Sequence, residues 1–209
     1  TGRNLKGIQF DFAYTLGKAE DNAPITSVLS VTGDAGRTNP ESLDFDKGPN
    51  VLDQRHTFAG SIVARPSIDG GNAFTRGLVN GTIVGVAMQF ANGIPVGLRA
   101  NPGEINNDGV NSDRPAGISR NSLRLPARYN VDLRLSRQVA VGGPRRVEVI
   151  AEVKNLFNTV QWSSVTGTAI AVDRLTGLPT GTVPTSGDQL IPTGGYEQRQ
   201  LQFGFKFVF

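Results

Sequence analysis

From Leu201 onward, every second residue of the C-terminal stretch Gln198 to Phe209 is apolar. Leu201, Phe203, Phe205, Phe207 and Phe209 stand against Gln198, Gln200, Gln202, Gly204 and Lys206. Successive side chains on a β-strand point to opposite faces, so this period of two predicts a strand with one wholly apolar face. A helix would scatter the phenylalanines around its circumference. At ~3.3 Å per residue and a tilt of ~40°, twelve residues cover roughly 30 Å, enough to cross the hydrocarbon of a bilayer. Strands of soluble sandwiches are commonly ~5–6 residues long.

Five further segments carry the same alternation. The first sets Ile8, Phe10, Phe12, Tyr14 and Leu16 against Gln9, Asp11, Ala13 and Thr15. The second runs from Arg55 to Arg65, with Phe58, Gly60, Ile62 and Ala64 on one side. The third spans Gly77 to Phe90 and groups Leu78, Thr82, Val84, Val86, Met88 and Phe90. The fourth sets Tyr129, Val131, Leu133 and Leu135 against Asn130, Asp132, Arg134 and Ser136. The fifth sets Val147, Val149, Ala151 and Val153 against Glu148, Ile150, Glu152 and Lys154.

The connections alternate between long (18–54, 91–127, 158–197) and short (66–76, 140–146), and the long ones are rich in Gly, Pro, Asn, Asp and Thr. Transmembrane barrels have short periplasmic turns and long extracellular loops, whereas a sandwich has no reason to alternate. The expected fold is therefore all-β, an antiparallel transmembrane β-barrel portion of about six long strands. Parity places Phe209 at the periplasmic end. Six strands cannot close a transmembrane barrel, whose smallest bacterial form has about eight, and an open sheet in lipid leaves costly unsatisfied edges. Residues 1–209, beginning at Thr1 rather than Met, are accordingly expected to be the C-terminal part of one outer-membrane barrel domain, a fragment without the earlier strands.

Composition narrows the alternatives. No apolar run approaches the ~18 residues of a transmembrane helix. Lys plus Arg number 21 against 18 Asp plus Glu, scattered rather than clustered, so nucleic-acid binding is not expected. With no cysteine there is neither a disulfide framework nor a thiolate metal site. The one histidine, His56, lies in Asp53-Gln54-Arg55-His56 without a nucleophile motif beside it; a polar cluster where a loop meets its strand is the expected role. Glu148 and Glu152 fall ~13 Å apart along one strand face, too far for a glycosidase pair. With Asp11, Arg65, Asp132, Arg134 and Lys154 they are expected to line the lumen. Neither an enzyme nor a cofactor is expected.

Two loop features have candidate roles. Glu104, Asn106, Asp108 and Asp113, with Gly109 between them, have the alternating oxygen pattern of a calcium loop, although the twelfth position, where an EF-hand needs Glu, is Pro115. A loop held by Asx turns is the alternative, and calorimetric titration with calcium separates the two. Trp162 is expected at the extracellular rim as a girdle residue, alongside Tyr14 and Tyr129.

The final octet, with Gln202, Gly204, Phe207 and Phe209 at its marked positions, resembles the β-signal read by the barrel assembly machinery. Further stretches resemble the C-terminal barrel of TonB-dependent receptors, in particular the Oar-like subgroup with a carboxypeptidase-regulatory-like N-terminal domain. They are Tyr14–Ala19, Asp53–Phe58, Asn106–Pro115, Tyr129–Ser136 and Ala151–Asn158, in that order. The resemblance implies energy-coupled substrate binding and uptake at the cell outer membrane, with lipid, the assembly machinery and TonB as partners. TonB would be reached through an N-terminal part, with its plug, that these residues do not include. A passive porin or autotransporter translocator barrel is the first alternative, and a secreted β-sandwich adhesin or lectin the second. The substrate is not legible.

Overall fold

The computed structural model describes residues 3–5, 7–22, 38–39, 42–109, 111 and 113–209. Much of the first long connection (23–37, 40–41), together with Val110 and Ser112 of the 106–115 stretch, lies outside the described residues.

One sheet of seven strands organises the chain, in the order of the sequence: β1 (Arg3–Leu5), β2 (Ile8–Leu16), β3 (His56–Ala64), β4 (Thr82–Ala91), β5 (Arg128–Gly142), β6 (Arg145–Lys154) and β7 (Gln200–Val208). Every neighbouring pair is antiparallel. The sheet is not closed: β1 and β7 each pair on one side only. Nine residues at ~3.3 Å each, tilted ~40°, rise roughly 23 Å, close to the ~25 Å apolar band of a barrel.

The register sorts the side chains. Phe12 is opposite Gly60, which is opposite Met88, which is opposite Val131; Leu135 is opposite Ala151, which is opposite Phe203. One face is therefore apolar across the middle of six strands, with His56 at one end and Thr82 and Arg137 toward the other, and the opposite face holds Gln, Ser, Thr, Asp, Glu, Arg and Lys. That apolar face is uncovered. Phe203, Phe205 and Phe207 are 70%, 68% and 65% exposed. Gly60 sits between Phe12 and Phe58 on this face, and a Cβ there would come within 2.5 Å of the Phe12 ring. Its absence lets Phe12 lie across the neighbouring strand and stack on Phe58, with ring centroids 5.9 Å apart.

Several sequence expectations require correction. The third strand begins at Thr82, not Gly77, because Asn72 caps a short helix, α1 (Ala73–Val79), by accepting the Thr75 amide at 2.8 Å. The last strand is Gln200–Val208 rather than 198–209. The turn expected over 140–146 shrinks to Gly143-Pro144, since β5 runs on to Gly142, where positive φ at both glycines makes the tight reversal. Trp162 is not an exposed girdle residue; it packs against a buried cluster formed by the long connections.

That cluster comprises Val96, Leu98, Leu123, Leu125, Val165, Ile170 and Leu190. None of its members lies in the seven-stranded sheet. Small ladders hold the connections together: Glu20–Asp21 with Gly48–Pro49, Pro95–Val96 with Leu123–Arg124, and Trp162–Thr166 with Ile191–Gly195. Arg99–Asn101 pairs with Ala169–Ala171 in parallel, a departure from the all-antiparallel expectation that ties the second long connection to the third. The described residues of these connections, which the alternation left as irregular loops, thus form a folded cap at one end of the strands. The sheet buries little because its apolar face needs no protein partner. The cap has its own small core.

Candidate functional site

Where the strands meet the cap, the polar face opens into a cavity of about 490 Å³. Thr57, Gln89, Asn130 and Lys154 reach it from β3 to β6, and Gln161 and Glu197 from the third connection. Arg128 lies at its edge with its guanidinium 4.2 Å from the Tyr196 ring centroid, a cation–π contact that orders both side chains. Phe58, Phe90, Tyr129 and Tyr196 also border it, but the charges of both signs and several amides suit a polar solute able to donate and accept hydrogen bonds. Farther along the polar face a second hollow of about 320 Å³ is bordered by Asp132, Arg134, Glu152 and Lys154. Arg134 Nη1 and Glu152 Oε1 are 2.6 Å apart. Asp11, Asp132, Arg134, Glu148, Glu152 and Lys154 fall on this one face by register, as the alternation requires. Arg65 lies just past β3 and donates to Gln9 Oε1 at 3.3 Å.

The motif Lys154 to Asn158 shapes this mouth. Asn155 and Asn158 adopt positive φ, which asparagine tolerates, and so turn the chain away from β6. Asn155 Oδ1 accepts the Thr159 amide at 2.9 Å while its Nδ2 donates to the Thr159 carbonyl at 3.0 Å. Asp132 Oδ1 accepts from the Asn155 amide at 2.9 Å and from Asn130 Nδ2 at 2.8 Å. The asparagines therefore position the rim of the cavity.

Three arginine–aspartate pairs clamp the first connection to the second. Arg114 meets Asp46 at 2.6 Å, both fully buried. Arg120 pairs with Asp21 and also donates to the Asp46 carbonyl at 3.3 Å. Arg124 pairs with Asp53 and donates to its carbonyl at 2.8 Å. Beside that clamp Gly187 passes so close to the Arg124 carbonyl that a Cβ would collide with it, so the third connection is packed onto the second. Sequence reasoning missed these pairs. A basic run of Arg114, Arg120 and Arg124 is visible in the sequence, but nothing local says which of many loop aspartates each one meets.

His56 is held by the same corner. Its amide donates to Asn92 Oδ1 at 3.0 Å, and its Nδ1 lies 2.7 Å from the Tyr14 hydroxyl. Tyr14 and Tyr129 are largely exposed on the apolar face at the cap end of their strands.

In the Glu104–Asp113 loop the side-chain oxygens are largely occupied by the loop itself. Glu104 Oε1 and Asn106 Oδ1 both accept the Asp108 amide at 3.2 Å, and Asp113 Oδ2 accepts the Ile105 amide at 2.8 Å. Asp113 Oδ1 is buried without a hydrogen bond. Among the described residues no three His or acidic side chains converge as a metal-ligand set. The C-terminal positions divide between faces: Gln202 and Gly204 on the polar one, Phe207 on the apolar one. Phe209 stands just past β7, almost fully exposed.

The acidic groups of the cap respond oppositely to pH. Burial pushes the Asp113 carboxyl up, and Asp108 and Glu104 add to this against the opposing Ile105 amide. At Asp53 burial also pushes upward, but the Ala19 amide, Arg124 and Arg55 outweigh it and hold the carboxyl below its ordinary 3.8. A group raised on folding costs stability while ionised and is relieved as pH falls through its folded value. A group lowered on folding contributes above its unfolded value and loses that contribution as pH falls through its folded value. Cap stability should therefore rise slightly on mild acidification and then fall below about pH 3.8. Carbon-detected titration of the two carboxyls checks this, and Asp53 titrating above Asp113 would contradict it.

Residues 1–119 match the family model described as the outer membrane beta barrel domain. The chain belongs to that family. Comparison with curated proteins and with solved structures gives no match. The barrel is accordingly an outer-membrane one, and its uncovered phenylalanine face is the face that lipid covers, with the polar face turned to the lumen. The two cavities described above therefore lie toward the lumen side.

Proposed function

We propose that this chain is the barrel portion of a TonB-dependent receptor of the Oar-like subgroup, binding a polar solute at its mouth for energy-coupled uptake. The cap faces the cell exterior and Phe209 the periplasm. The observation that carries the reading is the cap itself. Three buried or half-buried ion pairs and an apolar cluster fix the long loops at the end of the strands where the polar cavity lies. Such a preordered lid suits capture of a specific ligand better than free passage. The motif resemblance along the chain supports the subgroup. The open edges of β1 and β7 are met, in this reading, by further strands of the same barrel, because an unpaired edge in lipid is costly. No chemistry is assigned to the chain; it supplies strands, loops and binding surface.

Uptake by the intact protein should stop when TonB is deleted or the proton-motive force is collapsed, whereas uptake that continues favours the passive porin. Arg128→Ala should weaken solute binding about tenfold or more by unseating Tyr196. In the same intact protein, deleting Phe209 should lower the yield of folded, heat-modifiable barrel several-fold, through loss of the aromatic terminus that the assembly machinery reads. Normal yield would contradict the assembly role of Gln202, Gly204, Phe207 and Phe209.

A further inference from the structure

The connection between β3 and β4 is longer than it needs to be. Gly143-Pro144 turns the next hairpin in two residues, yet this link contains a capped helix. It is not a loose loop. Asn80 Oδ1 accepts the Ile68 amide at 2.8 Å, and Asn80 Nδ2 returns a bond to the Ile68 carbonyl at 3.1 Å. The Asn80 amide closes the helix on the Arg76 carbonyl at 2.9 Å. Yet α1 buries none of its residues. Phe74 and Leu78, four apart and so on one helix face, are 77% and 59% exposed.

The position of the helix bears on what covers them. Arg137 belongs to the lipid-facing set of β5, between Leu135 and the exposed Val139 and Val141. It is the one charged residue in that set, and an arginine among aliphatic side chains facing lipid requires an acceptor. Its Nη1 donates to the Leu78 carbonyl at 2.7 Å, and Thr82 Oγ1, also on the lipid-facing side, donates to the same carbonyl at 2.8 Å. The C-terminal end of α1 is therefore tied to the outer side of the sheet, at a level beyond which β5 still presents bare valines.

We propose that α1 is a membrane-interface element: it lies against the bilayer at the short-turn rim, with Phe74 and Leu78 in the lipid and Arg76 on the opposite face toward water. The partner is the phospholipid surface that continues the lipid-facing side of the sheet. Which leaflet it meets rests on the orientation proposed above. That it meets lipid does not.

The 209 residues contain no cysteine, so once any cysteine elsewhere in the intact protein is replaced by serine, spin labels can be placed singly in these residues and the protein reconstituted in phosphatidylethanolamine–phosphatidylglycerol vesicles. Labels at positions 74 and 78 should have oxygen-to-nickel-chelate accessibility ratios several-fold above a label at 76. A label at 203 reports the lipid face and one at 202 the lumen. Position 203 in lipid with 74 and 78 as nickel-accessible as 76 would overturn the inference and leave the barrel intact. Shielding of 74 and 78 from both reagents would also overturn it, by indicating a protein partner. Position 203 in water would instead sink the barrel reading itself. All substituted side chains are exposed, so folding should tolerate each cysteine.

Discussion

Asp46→Ala should loosen the cap by about 3–5 kcal/mol, because it leaves the Arg114 guanidinium buried without its counter-ion. Asp46 ends a short 3-10 helix (Leu43–Asp46) that starts at Ser42, whose side chain caps it. Neither Asp46 nor Arg114 has meaningful access to water, so solvent cannot replace the lost partner. Asp46 Oδ1 also accepts the Thr38 amide at 3.2 Å, so that bond is lost too. The double variant Asp46→Ala with Arg114→Leu should recover much of the loss, since removing both charges removes the desolvation cost with them. Recovery will be incomplete because the Arg114 bond to the Phe45 carbonyl and the Thr38 amide bond to Asp46 are lost as well.

Hydrogen exchange at Val96, Leu98 and Leu123 reads the effect directly. At about 1.4 kcal/mol per factor of ten, their amides should exchange at least a hundredfold faster in the single variant. Amides in the middle of β5 and β6 should hardly change, because no strand of the sheet contributes to the apolar core of the cap and the two open separately. Acceleration below tenfold would mean that the pair does not hold the loops together.

Phe203→Arg should destabilise the membrane-inserted barrel by about 2–4 kcal/mol. Phe203 lies in the middle of β7, opposite Ala151, on the face that lipid covers. A guanidinium there must reach an interface or draw water into the hydrocarbon. Gln202→Arg, one residue away, places the same charge in the lumen beside Glu152 and should change stability by less than about 0.5 kcal/mol, as surface substitutions usually do. Urea titration of the intact protein refolded into vesicles measures both. A soluble sandwich would give the opposite result, with Phe203→Arg improving solubility at little cost. Equal effects from the two substitutions would refute the assignment of faces.

Much of the sheet was legible because its signal is local. Ile8 to Leu16 forms a strand with the bounds that its alternation defines, and β3, β5 and β6 differ from their sequence segments at the ends. The third strand misled because Leu78 keeps the parity of Val84 and Val86 while lying on a helix. A period of two and one of 3.6 overlap over a few residues, and the structure shows Asn72 capping the helix there. Trp162 misled for another reason: tryptophan is common both at membrane rims and in small cores, and only packing separates the two. The clamps could not be read from the sequence because they join residues about seventy to one hundred positions apart. Asn106 and Asp108 resembled metal ligands in sequence, but in the fold they mostly hydrogen-bond within their own loop.

The sequence by itself determined that this chain meets lipid along its strands. The physical reason is that strand geometry converts position parity into face, so the phenylalanines from Phe203 to Phe207 could share one side without any knowledge of their neighbours. The tertiary structure alone decided that the described parts of the long connections are a folded cap, that their arginines and aspartates pair across it, and that α1 leans on the outer side of the sheet through Arg137. Those contacts join segments far apart in the chain. Nothing local encodes which distant partner a charge or a carbonyl will find.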